Sequence, residues 1–122
     1  VILVDSFGWI EYFANGRLAD RYVRYIETLE EIIVPTVVIY EVYKQLKSKR
    51  GEKLAQDAYA HMAKASVVPL TDDIAIQAAD ISLSSGLAMA DAIIYATAMS
   101  NNAKLITSDS HLKNLVGVTF IE

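Results

Sequence analysis

Two periodicities run through the apolar residues of the chain. Short β-branched runs at Val1–Val4, Ile32–Val34, Ser66–Leu70, Lys104–Ile106 and Val118–Ile121 predict five strands. Between them apolar residues recur at helical spacing and predict helices over 7–14, 18–30, 36–49, 52–64, 72–84 and 90–100, with a short one over 110–115. Helix starts are marked by Ser6 before Phe7-Gly8-Trp9-Ile10, by Thr36 before Val37, and by Thr71 or Asp72 before Ile74. Gly16, Gly51 and Gly86 are placed as stops or turns. Strands separated by helices imply an α/β fold around a mostly parallel five-stranded sheet. With no repeat, low-complexity tract or linker in 122 residues, one domain spanning 1–122 is expected.

Composition narrows the chemistry. The chain has no cysteine, which excludes disulfides, thiolate zinc sites and cysteine nucleophiles. Val1-Ile2-Leu3-Val4 is too short and lacks the basic leader of a signal peptide. The apolar stretch from Leu87 to Met99 is broken by Asp91 and falls short of the roughly 20 residues that cross a bilayer. A cytoplasmic protein without a membrane span is expected. The formal net charge of -4 has the wrong sign for holding nucleic acid by bulk electrostatics. Five basic residues nevertheless cluster within ten positions, at Lys44, Lys47, Lys49, Arg50 and Lys53, and form either a phosphate-binding patch or a solvated helix face.

Polar residues collect after the carboxyl ends of the predicted strands: Asp5, Thr36, Thr71 with Asp72, and Thr107 with Asp109. Open parallel sheets bind ligands at that edge, although Ser, Thr and Asp also cap helices there. Asp5 follows four apolar residues at the mouth of a central strand; capping is the competing reading. Glu41 sits in the apolar helical run Val37-Val38-Ile39-Tyr40-Glu41-Val42-Tyr43, either at a cleft or in a surface pair with Lys44. Asp91 interrupts Leu87-Ala88-Met89-Ala90-Asp91-Ala92-Ile93-Ile94-Tyr95-Ala96, a helix apolar nearly all round. An ionised carboxylate there carries a large desolvation penalty unless it caps the helix or meets a cation.

Taken together, Val1-Ile2-Leu3-Val4-Asp5-Ser6, the helical Glu41, the stretch from Gly86 to Ala98 around Asp91, and Leu105-Ile106-Thr107-Ser108-Asp109 resemble the acidic motifs of PIN domains in order, spacing and context. That resemblance implies a three-layer α/β/α PIN-like fold and a Mg²⁺-dependent ribonuclease, with Mn²⁺ able to substitute. It further implies that Asp5, Glu41, Asp91 and Asp109 are the metal-binding and catalytic acids, with Ser6 and Thr107 as supporting hydroxyls. RNA is the implied substrate, and Lys44, Lys47, Lys49 and Arg50 are candidates to hold it. For the VapC-type toxins of this family it also implies a homodimer and a cognate antitoxin protein, for which Tyr22, Tyr25, Tyr40, Tyr43 and Tyr59 are candidate surface. One position departs from the pattern. Many members carry a further acid two residues after the fourth, and here that residue is His111.

The residue types suit the implied reaction. Phosphodiester hydrolysis needs an activated water and neutralisation of charge on the phosphoryl oxygens, and a divalent ion supplies both. Magnesium takes oxygen ligands, which carboxylates provide. Crowded carboxylates without metal repel one another, so at least one should hold its proton to unusually high pH. Three other readings compete: a phosphoacceptor receiver domain, a degenerate PIN fold that only binds protein, and a housekeeping PIN nuclease in RNA processing. The receiver fits poorly, because Asp5 is followed by Ser6-Phe7 rather than a second acid and no Lys follows Lys113. His61, mid-helix with no motif around it, receives no role.

Overall fold

The computed structural model describes every residue from Val1 to Glu122. Five strands form one sheet: β1 (Ile2–Val4), β2 (Ile32–Pro35), β3 (Ser66–Val68), β4 (Lys104–Thr107) and β5 (Val118–Phe120). Their order is β3-β2-β1-β4-β5, and every pairing is parallel. Six helices connect them: α1 (Ser6–Ala14), α2 (Ala19–Ile26), α3 (Thr36–Arg50), α4 (Glu52–Met62), α5 (Asp72–Ser85) and α6 (Met89–Ser100). The sheet is therefore wholly parallel, where the sequence predicts a mostly parallel one.

The strand order dictates the layers. Steps from β1 to β2 and from β2 to β3 advance the sheet in one direction, so right-handed crossovers put α1 to α4 on one face. The step from β3 to β4 crosses back and puts α5 and α6 on the other face. Contacts follow the same division, with α1 to α4 packed among themselves and α5 on α6. The result is the expected α/β/α sandwich. Buried apolar side chains form one continuous cluster of 27 residues, including Leu3, Val4, Trp9, Tyr22, Val34, Leu105 and Ile106. Central strands covered on both faces read as unbroken apolar runs, whereas edge strands β3 and β5 are only partly covered.

Several boundaries move for local reasons. The second helix ends at Ile26 rather than 30, because the Thr28 hydroxyl donates to the Tyr25 carbonyl at 2.8 Å and takes an acceptor from the helix end. A 3₁₀ turn, Leu29–Glu31, follows. The third strand stops at Val68, before Pro69, which has no N–H to continue a ladder. The short helix expected over 110–115 is a 3₁₀ turn of three residues, Ser110–Leu112. Thr71 caps α5 as expected, accepting from the Ile74 amide at 3.3 Å. Ser6 and Thr36 instead open their helices, with Asp5 and Pro35 in the cap positions.

Gly8 is fixed by a close approach. A Cβ there would lie 2.4 Å from the Tyr22 ring and 2.8 Å from Val4 Cγ1, so only glycine lets α1 lie this near α2 and β1. Tyr22 is thereby buried completely, which corrects its candidacy as partner-binding surface. No single helix is long and apolar enough to cross a membrane.

Candidate metal centre

The chain reverses direction across the sheet between β1 and β4, which leaves a crevice at their carboxyl ends. Asp5 leaves β1 there, and Thr107 to Asp109 leave β4 beside it. Where the two helical layers approach over this edge, α3 meets α6 and brings Glu41 and Asp91 in from opposite sides. Asp5, Glu41, Asp91 and Asp109 thus line one cavity of about 530 Å³, together with Ser6, Ser108 and Lys44. Phe7, Ile10, Tyr40 and Gln45 complete its wall. Sequence separation between the first and last acid is spanned by the fold alone.

Each carboxylate is held differently. Asp5 is 5% exposed and accepts at Oδ2 from the Thr107 hydroxyl at 2.5 Å. Thr107, fully buried, also accepts at its Oγ1 from the Asp109 amide at 3.0 Å, so one hydroxyl fixes two acidic segments. Ser6 donates to Glu41 Oε1 at 2.5 Å and ties α1 to α3. Asp109 Oδ1 accepts from the His111 amide at 2.8 Å, so capping is part of its role. Asp5 occupies the cap position of α1 without a side-chain cap bond, and the cap of α6 is Ala88, three residues before Asp91. The surface pair between Glu41 and Lys44 does not form either. Lys44 turns its ammonium to the Tyr40 hydroxyl at 3.3 Å and lies over that ring.

Carboxylate protons report the crowding. Burial pushes the Asp5 carboxyl above its usual range, against the lowering effect of the Thr107 hydrogen bond, with Asp109 and Glu41 adding repulsion. Asp91 is pushed up to about 7, first by desolvation and then by its hydrogen bond with Asp109 and the charges of Asp109, Asp5 and Glu41. Lys44 is the only basic side chain lining the cavity, and it does not pair with any of the acids. The site gathers oxygen donors and lacks a compensating cation.

That donor set fits a hard divalent ion. Asp5, nine-tenths buried, accepts a side-chain hydrogen bond at only one of its two oxygens. The remaining carboxylate oxygens face a cavity large enough for an ion and its waters. Asp91 and Asp109 also stand with His111 in a tighter group, whose ligand atoms all lie within 4.8 Å of one another.

Of the basic candidates, only Lys44 reaches the cavity. Lys47 pairs with Glu52 at 3.1 Å, Arg50 reaches the Ala14 carbonyl at 3.3 Å, and Lys49 is exposed away from it. Sequence reasoning missed Phe7, Ile10, Tyr40 and Gln45 as cavity wall, since an apolar or amide residue on a helix carries no sign of facing a cleft. It also missed the support beneath Ser108, whose hydroxyl meets that of the buried Tyr22 at 2.5 Å. Burial pushes the Tyr22 phenol up to about 12, so it stays protonated. His61 lies among Trp9, Tyr12 and Phe13 and packs edge-on against Trp9 and Phe13.

Comparison with known proteins agrees with the fold. The PIN-domain family profile matches residues 2–118. Among solved structures, one described as a toxin–antitoxin complex from Klebsiella pneumoniae superposes with a TM-score of 0.82 at 22% identity, covering 98% of this chain and 96% of that one. A DNA-bound VapBC from Salmonella typhimurium gives 0.79 at 12% identity, with 98% and 96% covered. VapC20 of Mycobacterium tuberculosis, described as a toxin that cleaves the sarcin–ricin loop, gives 0.75 at 18% identity, with 85% of each chain covered. No curated protein matches. A receiver-type sheet would run 2-1-3-4-5, which the observed β3-β2-β1-β4-β5 order rules out. With its profile match across nearly the whole length and its four acids at the switch point of a parallel sheet, the chain belongs to the PIN-domain family.

Proposed function

We propose that this single-domain chain is a Mg²⁺-dependent endoribonuclease, with Mn²⁺ able to substitute, and that it acts in the cytoplasm as the toxin of a type II toxin–antitoxin pair. The observation that carries the reading is the convergence of Asp5, Glu41, Asp91 and Asp109 on one cavity without a cation of the chain to balance them. When bound, a divalent ion supplies an activated water and neutralises charge on the scissile phosphate. Asp5, Asp91 and Asp109 hold it, and Glu41 orients water. Thr107 fixes Asp5 against Asp109, and Ser6 fixes Glu41, so the acids are set before substrate arrives. Lys44, at the cavity wall, meets the RNA backbone, and Lys47, Lys49 and Arg50 extend the basic face along α3.

The toxin assignment draws on the likeness to structures described as a toxin–antitoxin complex and as a toxin that cleaves the sarcin–ricin loop. Exposed apolar side chains at Ile76 and Leu83, seven residues apart on α5, support a face covered by a second copy or by an antitoxin. The test is cleavage of end-labelled RNA by protein freed of any co-purified inhibitor, with Mg²⁺ or Mn²⁺, with EDTA, and with the Asp91→Asn variant alongside. Cleavage that leaves 5′-phosphate and 3′-hydroxyl ends, and that vanishes with EDTA and in the variant, is the expected result. A cyclic phosphate product, or cleavage indifferent to EDTA, would overturn it.

A further inference from the structure

His111 replaces a carboxylate of the usual pattern, and the structure puts it against the acids rather than out in solvent alone. Its Nδ1 stands 3.0 Å from Asp109 Oδ1, the same oxygen that accepts from the His111 amide. In the neutral tautomer that carries its proton on Nε2, the imidazole presents the Nδ1 lone pair beside that carboxylate oxygen, at a spacing that two neighbouring ligands of one ion keep. Either ring nitrogen of a neutral histidine serves as a metal ligand.

The surroundings of Asp91 point the same way. On one side it faces the main acid cavity; on the other it shares a smaller cavity of about 220 Å³ with His111 and the Ser85–Ala88 turn. No lysine or arginine lines that smaller space. Asp91, Asp109 and His111 therefore form a mixed oxygen and nitrogen set within 4.8 Å. As a surface ion pair alone, the contact between exposed His111 and Asp109 would stabilise little.

We propose that His111 is a ligand of the metal centre, alongside Asp91 and Asp109, and that its imidazole makes this centre favour first-row divalent transition ions over Mg²⁺. The inference rests on the metal-centre reading above. Magnesium demands oxygen ligands and gains little from imidazole, whereas transition ions accept both donors and bind nitrogen more tightly.

Pulsed electron paramagnetic resonance of Mn²⁺ bound to the chelator-stripped protein tests the ligand directly, through coupling to imidazole ¹⁴N. The chain has two histidines, and His61 remains in the His111→Gln variant, so loss of coupling there assigns the ligand. Calorimetric titrations with Mn²⁺ and Mg²⁺ test the preference in wild type and in His111→Asp. The expected result is ¹⁴N coupling in wild type that disappears in His111→Gln, with a Mn²⁺-over-Mg²⁺ affinity ratio that falls roughly tenfold or more in His111→Asp. Mn²⁺ binding that is lost in Asp91→Asn but shows no ¹⁴N coupling, with an unchanged ratio in His111→Asp, would overturn this inference and leave the metal centre standing. Absence of Mn²⁺ binding to folded wild type would overturn both.

Discussion

In the metal-free protein the Asp91 carboxyl holds its proton to about pH 7, against 3.8 for an unperturbed aspartate. Between those values the folded chain binds more protons at this group than the unfolded chain does, so stability falls as pH rises and levels off above about 7. Asp5 shifts in the same direction. Melting of the chelator-treated protein is therefore expected at lower temperature at pH 8 than at pH 5. Asp91→Asn removes the larger part of that slope and raises the melting temperature at pH 8 while abolishing metal binding, which calorimetry and circular dichroism check together. Thr107→Val tests the other side of the site. The exchange keeps the buried volume but removes the hydroxyl that joins Asp5 to Asp109, and is expected to lower metal affinity or activity roughly 10- to 100-fold. Asp5 and Asp91 were legible in the sequence because each is an acid in an apolar run, and burial of a charge there needs an explanation. Tyr22 was not, since a tyrosine on an amphipathic helix reads equally well as surface or as core.

Among the elements, α1 carries much of the positioning, because it follows Asp5, presents Ser6 to Glu41 and packs on α2 and α3. Gly8 lets it approach. Gly8→Ala forces a methyl group into the Tyr22 ring and Val4, and is expected to cost about 1–3 kcal/mol in urea unfolding. Because Tyr22 in turn meets Ser108, activity should fall beyond the loss of folded fraction. On α3 the basic residues should separate by position. Lys44→Ala is expected to weaken RNA binding and to lower the salt slope by about one, whereas Lys49→Ala changes both less. Cap chemistry and turn glycines made the helices readable to within a few residues. The end of α2 escaped, since the Thr28 hydroxyl bond that stops it has no distinct pattern in sequence.

At the scale of the whole molecule, alternation of strands and helices predicted a parallel α/β sheet but not its order. Order is set by which crossover turns back, and that decision between β3 and β4 is what creates the crevice beside Asp5 and Asp109. The four acids could be named from their local contexts, whereas their convergence, the cavity wall and the open flank of Asp91 belong to the tertiary structure. The central claim is that this convergence is a divalent-metal centre. The most direct measurement is an anomalous difference map from crystals of the inhibitor-free protein soaked in Mn²⁺. A peak in the cavity at coordination distance from Asp91 and Asp109, absent in Asp91→Asn crystals, is the expected result. A map without a peak there at saturating Mn²⁺, from well-ordered crystals with the cavity open to solvent, would contradict it.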